Sequence, residues 1–318
     1  MLRLFLDNRI GVLILLPFFL LLYLLGDIIG AAPYFGAQDQ PAFVSIPNWT
    51  YWGVVCLQFI ILIINALCLN WVFNSQEFLE KNTYIISLNY LIFSSFFIDF
   101  GHFSWMPIIH TCCILMLAVF FGVRPQIDAR KAGFNAGFLF GIALLFNSQL
   151  LFLIPALLIM LVVLRTLQIR ELILLLLGLA SPILLLYASY YVAEQPFNFP
   201  FKFNGQLSQL HWFEITILVL LHILLVLSLI GLRARLLKAS LRLKKQIQVL
   251  NVFTFFTWFL GLSAFILVSQ TSLLSLLVLP LSFYFAYALL SSSLGISSHL
   301  FFYLFLLSTL LKFVVLSF

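Results

Sequence analysis

The chain has 318 residues, 64% of them hydrophobic and 8% charged, with a mean hydropathy of +1.17. Its apolar runs are far longer than a buried core element needs, which excludes the two soluble domains that length alone would suggest. The net charge of +6 comes from cations between those runs, where membrane topology accounts for them, and this excludes a nucleic-acid partner.

The sequence predicts an all-α, polytopic membrane protein, one transmembrane domain over 1–318 with no soluble domain. The dense basic run from Arg233 to Lys245 fixes its orientation, because Lys and Arg beside apolar spans stay on the cytoplasmic side. A first span runs over about 10–30, uncleaved because no small-residue signal site follows it. A polar loop leads to span two, about 51–73, and Glu77, Glu80 and Lys81 mark a return to the cytoplasm. Spans three and four, about 84–98 and 105–123, are joined on the outside by a tight turn containing Asp99 and His102. Arg124, Arg130 and Lys131 precede spans five and six, about 132–146 and 149–164, which are short enough to read as thin crossings or as a re-entrant pair. Span seven covers about 172–192 and an aromatic-rich outer segment follows it. Span eight, about 212–232, descends to the basic run, and spans nine to eleven cover about 252–268, 273–290 and 300–315. The count is about eleven transmembrane helices, with the N-terminus cytoplasmic and the C-terminus non-cytoplasmic. Of the 16 Lys and Arg residues, all but Lys202 and Lys312 then fall inside. The expected location is a bacterial inner (cytoplasmic) membrane, crossed many times.

Cys56, Cys68, Cys112 and Cys113 lie within spans and have no metal-ligand spacing, so they read as small packing residues. Gly133, Gly137 and Gly141 make a smooth stripe on span five for close helix packing, within the chain or against a membrane-protein partner. Gly178, Ser181 and Pro182 mark a kink or a second close-packing site in span seven. His222, mid-span, reads as a neutral imidazole bonded to a neighbouring helix.

The outer side collects acidic groups that topology does not require. Asp27 is the most telling, since it ends an unbroken apolar run where a carboxylate is costly unless paired or wet. The sequence therefore predicts one outer cavity with Asp27, Asp99 and His102 as its catalytic centre, the carboxylates acting as general base for an acceptor hydroxyl. Asp39, His110, Lys202 and His211 are the substrate-binding candidates. No metal-ligating motif is present, although a carboxylate there could help to hold a divalent cation that stays largely hydrated.

Three features together resemble a family of polytopic inner-membrane proteins of the Bacteroidota: the connection from Phe78 to Tyr84, the entry Arg170-Glu171 with Gly178 and Pro182 following, and the short basic loop before span nine. That resemblance implies the architecture and supplies no reaction. A looser resemblance is to C-type-fold glycosyltransferases that use a polyprenyl-phosphate-linked sugar, in which a carboxylate just past span one acts on the acceptor. Asp27 or Asp39 stands at that place here, without the adjacent Asp-Glu pair and with Lys202 and the histidines as the outer phosphate partners. The resemblance implies an enzyme acting on a lipid-linked substrate at the outer face, in contact with the bilayer and a polyprenyl-phosphate lipid. The alternatives are a non-catalytic scaffold or assembly subunit and, with few polar groups in mid-span, a transporter.

Overall fold

The computed structural model describes residues 5, 10–30, 51–79, 81–97, 104–124, 128–165, 168–194, 212–237, 239–268, 272–290 and 295–315. Eleven α-helices follow one another along these residues: α1 (Leu15–Gly30), α2 (Tyr51–Ser75), α3 (Ile85–Ser95), α4 (Met106–Phe121), α5 (Arg130–Phe146), α6 (Ile154–Leu164), α7 (Ile169–Val192), α8 (Trp212–Leu236), α9 (Leu241–Val268), α10 (Val278–Leu290) and α11 (Gly295–Val315). Short 3-10 segments over Ile10–Ile14, Ser148–Leu153 and Ser272–Leu277 lead into α1, α6 and α10. Several helices are long and apolar enough to cross a bilayer, among them Val55–Ser75, Ile169–Val192, Ile215–Arg233 and Leu241–Ile266.

The centre of the bundle is made by its shorter helices. Every residue of α3 is buried, as is α10 up to Leu289, and Asn89 of α3 donates to the Ser282 carbonyl of α10 at 3.4 Å. Long helices such as α7 and α8 present leucine, isoleucine and valine outward, which is the surface that a lipid solvent favours.

Contacts at the helix ends show how the chain alternates. At one end the Gln76 turn after α2, the Phe121 terminus of α4, the Leu164 terminus of α6 and the first turn of α9 are joined by hydrogen bonds from Arg242, Lys245 and Gln246. At that end also, Tyr84 before α3 donates its backbone N–H to Phe5, and Tyr287 in α10 donates to the Phe78 carbonyl. The start of α5 is tied to α7 there, by Ala129 N–H to Glu171 Oε1. At the opposite end Trp105, just before α4, stacks on Phe146, the last residue of α5, with ring centroids 4.9 Å apart. Arg124, Arg130, Arg165, Arg170, Arg233, Arg242 and Lys245 all sit at the first end, which is therefore the cationic end.

The glycine stripe is filled by α7 of the same chain. Gly133, Gly137 and Gly141 face the carbonyls of Glu171, Leu175 and Leu179 in that order, so α5 and α7 run parallel, and Gly178 faces Phe134 in return. Parallel α5 and α7 require α6 to return the chain between them. Two thin crossings and a re-entrant pair both return the chain in this order. Pro182 inside α7 removes the N–H that the Gly178 carbonyl would accept from, and Ser181 Oγ donates to that carbonyl instead, at 2.8 Å.

The basic run is the main departure from expectation. Its first half ends α8, and its second half opens α9 at Leu241, eleven residues before the expected start of span nine. Ser240 is the reason: its Oγ accepts the Leu243 N–H at 3.3 Å, an N-cap that starts the helix inside the cationic run.

Candidate functional site

Of the expected outer-face site, the structure describes two residues. Asp27 lies in the last turn of α1, at the end of the bundle away from the cations, and its backbone alone is described. Asp39, Asp99, His102, Lys202 and His211 lie outside the described residues. The packing next to them is described, however. Tyr23, one turn before Asp27, meets Thr309 of α11 at 2.7 Å and also bonds the Ser95 hydroxyl at the end of α3. Asp99 follows Ser95 by one helical turn's worth of sequence and lies outside the described residues.

His110 is the other described residue, and it is fully buried in a network drawn from four elements. Its Nδ1 lies 3.0 Å from Tyr90 Oη and its Nε2 3.2 Å from Ser275 Oγ. Asn65 of α2 donates to Tyr90 Oη at 3.3 Å and to the Pro107 carbonyl at 2.7 Å, while Thr111 donates to Asn65 Oδ1 at 2.7 Å. One consistent direction runs from Asn65 through Tyr90 to a neutral His110 that donates from Nε2 to Ser275. Both ring nitrogens are engaged, so His110 fixes the start of α4 against α2, α3 and the segment before α10. It has no nitrogen free for substrate.

His222 differs from expectation in a smaller way. Its Nδ1 donates to Leu218 O of its own helix at 2.7 Å, and Nε2 is buried with no hydrogen-bond partner among the described residues. Cys112 and Cys113 are buried packing residues, and all four cysteines are free thiols. Among the described residues no three His, Cys, Asp or Glu side chains group closely enough to hold a metal ion.

The cationic end carries a cavity of about 420 Å³ that sequence reasoning did not find. Arg242, Lys245 and Gln246, spaced i, i+3 and i+4 on one face of α9, line it together with Arg124, Phe121 and Leu164. Gln246 is buried, and its Nε2 donates to Gln76 Oε1 at 3.0 Å and to the Phe121 carbonyl at 3.3 Å. Arg242 Nη2 donates to the same Gln76 oxygen at 2.8 Å, and Lys245 Nζ to the Leu164 carbonyl at 3.2 Å. Phe121 packs on Phe78 and Phe283 at 5.3 and 6.3 Å, an aromatic cluster that gives the cavity a rigid floor. The signal that could have revealed this face was Ser240 read as an N-cap, which puts the helical period onto the basic run. Compared with protein-family models, curated proteins and solved structures, the chain finds no match.

Proposed function

We propose that this chain is a multi-pass protein of a bacterial cytoplasmic membrane, its cationic end and N-terminus in the cytoplasm, and that it is an enzyme acting on a lipid-linked substrate at the opposite end. The orientation rests on the rule that cations beside apolar spans stay inside, applied to an end at which Arg242, Lys245 and Gln246 join the start of α9 to the ends of α2, α4 and α6. The observation that carries the enzymatic reading is the Tyr23, Ser95 and Thr309 contact, because it supports a common exit for the segments bearing Asp27 and Asp99. The reaction class is glycosyl transfer from a polyprenyl-phosphate-linked sugar. A carboxylate takes the proton of the acceptor hydroxyl as its oxygen bonds to the anomeric carbon, and the carbon–oxygen bond to phosphate breaks with the electron pair leaving on the polyprenyl phosphate. His102 hydrogen-bonds that phosphate, with Lys202 and His211 as further donors and Asp39 toward the acceptor. His110 acts as a positioning residue, through Tyr90 and Ser275.

The test combines proximity with turnover. In a variant lacking the four native cysteines, Asp27→Cys with Asp99→Cys is expected to join under a short thiol cross-linker. Asp27→Asn and Asp99→Asn are each expected to slow consumption of polyprenyl-phosphate sugar in membranes by about a hundredfold or more. Absence of cross-linking together with unchanged turnover would leave the non-catalytic scaffold as the better reading.

A further inference from the structure

We propose that the cavity at the cationic end is a binding site for a phosphate ester and that the ester is the headgroup of a membrane lipid. The site lies at the far end of the bundle from Asp27, so it stands or falls independently of the enzymatic reading. Its first support is a charge imbalance. Arg124, Arg242 and Lys245 surround the cavity, and the groups they bond are neutral: a glutamine oxygen for Arg242, a backbone carbonyl for Lys245 and no described partner for Arg124. The described carboxylates at this end are otherwise engaged or outward. Glu171 pairs with Arg165 at 2.8 Å, Asp128 pairs with Arg130 at 3.4 Å, and Glu77 is exposed with no ion pair among the described residues.

A second support is where the cations stand on their helix. Arg242 and Lys245 occupy the first turns of α9, where the free peptide N–H groups already make the local potential positive and where stability alone favours acidic side chains. Cations gathered at that position gain most when an anion joins them. Membrane topology asks for Lys and Arg on this end, but it does not ask that cations from the α4 terminus and the α9 start converge on one cavity. The remaining wall decides the class of anion. Phe121 and Leu164 are buried behind the cations, and Leu241 beside them is 81% exposed, so the cavity joins a cationic rim to an apolar surface at the membrane boundary. An amphiphile with one phosphate and an acyl chain matches both parts, and basic pockets among helix ends on the cytoplasmic side are where anionic headgroups gather.

The test uses the full-length protein purified in detergent, with lipid binding read by native mass spectrometry and by thermal stabilisation. The probes are phosphatidylglycerol, zwitterionic phosphatidylcholine and inorganic phosphate. Phosphatidylglycerol is expected to bind more tightly than phosphatidylcholine and to weaken as salt is raised. Arg124→Gln, whose side chain holds no described contact and so leaves folding alone, is expected to weaken phosphatidylglycerol binding roughly fivefold. The triple change Arg124→Gln, Arg242→Gln and Lys245→Gln is expected to weaken it by about a hundredfold. Displacement of the lipid by millimolar inorganic phosphate would keep the phosphate chemistry and assign its source to a soluble ester. Equal phosphatidylglycerol binding by the wild type and by both variants would overturn the proposal.

Discussion

Glu171 shows how much one side chain settles at the cationic end. It is 1% exposed, bonded to Arg165 and to the Ala129 N–H, so it ties the start of α7 to the end of α6 and the start of α5. A buried pair of this kind adds little over an apolar substitute, whereas removing one partner strands the other charge. Glu171→Ala is therefore expected to cost about 3 kcal/mol in thermal unfolding, and the double change with Arg165→Ala less than the sum of the two single changes. His110 is the neutral counterpart at the other end. His110→Phe leaves the Tyr90 and Ser275 hydroxyls without their ring partner, an expected loss of about 1 kcal/mol in the same measurement. The sequence named His110 as a substrate-binding candidate within span four and Glu171 only as part of the entry to span seven. Their partners Arg165, Tyr90 and Ser275 could not be read, because pairing between separate helices leaves no periodic trace along the chain.

Among the helices, α5 and α7 are held by backbone approach rather than by side chains. A methyl group at Gly137 would fall on the Leu175 carbonyl, and one at Gly178 on the Phe134 carbonyl. Gly137→Ala is expected to force the helices apart and to lower stability by about 2 kcal/mol. Gly11→Ala, where nothing lies within 4 Å of the added carbon, is expected to be neutral in the same thermal-unfolding assay. The stripe was legible because spacing by four is a helical period. Packing within the chain, the first of the two uses the sequence allowed, is the one the structure shows, and the sequence did not name α7 as the partner. The start of α9 was misplaced because a run of cations reads as a solvated loop until Ser240 is recognised as a cap.

Across the whole molecule, hydropathy placed the helices and cation counting ordered their ends, because a bilayer imposes length and charge bias on each segment separately. Hydropathy did not reveal that the short helices α3 and α10 form the centre. A segment fully enclosed by protein and one facing lipid are equally apolar. Nor could it reveal the cationic cavity, whose walls come from α4, α6 and α9. Both proposed sites depend on which end faces the cytoplasm, and thiol labelling in intact cells measures that most directly. In a background without the four native cysteines, Leu237→Cys suits the cationic end, since Leu237 is 81% exposed and sits between α8 and α9. Ser208→Cys tests the connection between α7 and α8 on the other side. A membrane-impermeant maleimide is predicted to label Ser208→Cys in intact cells and Leu237→Cys only after permeabilisation. Labelling of Leu237→Cys in intact cells, with Ser208→Cys protected until permeabilisation, would contradict the orientation.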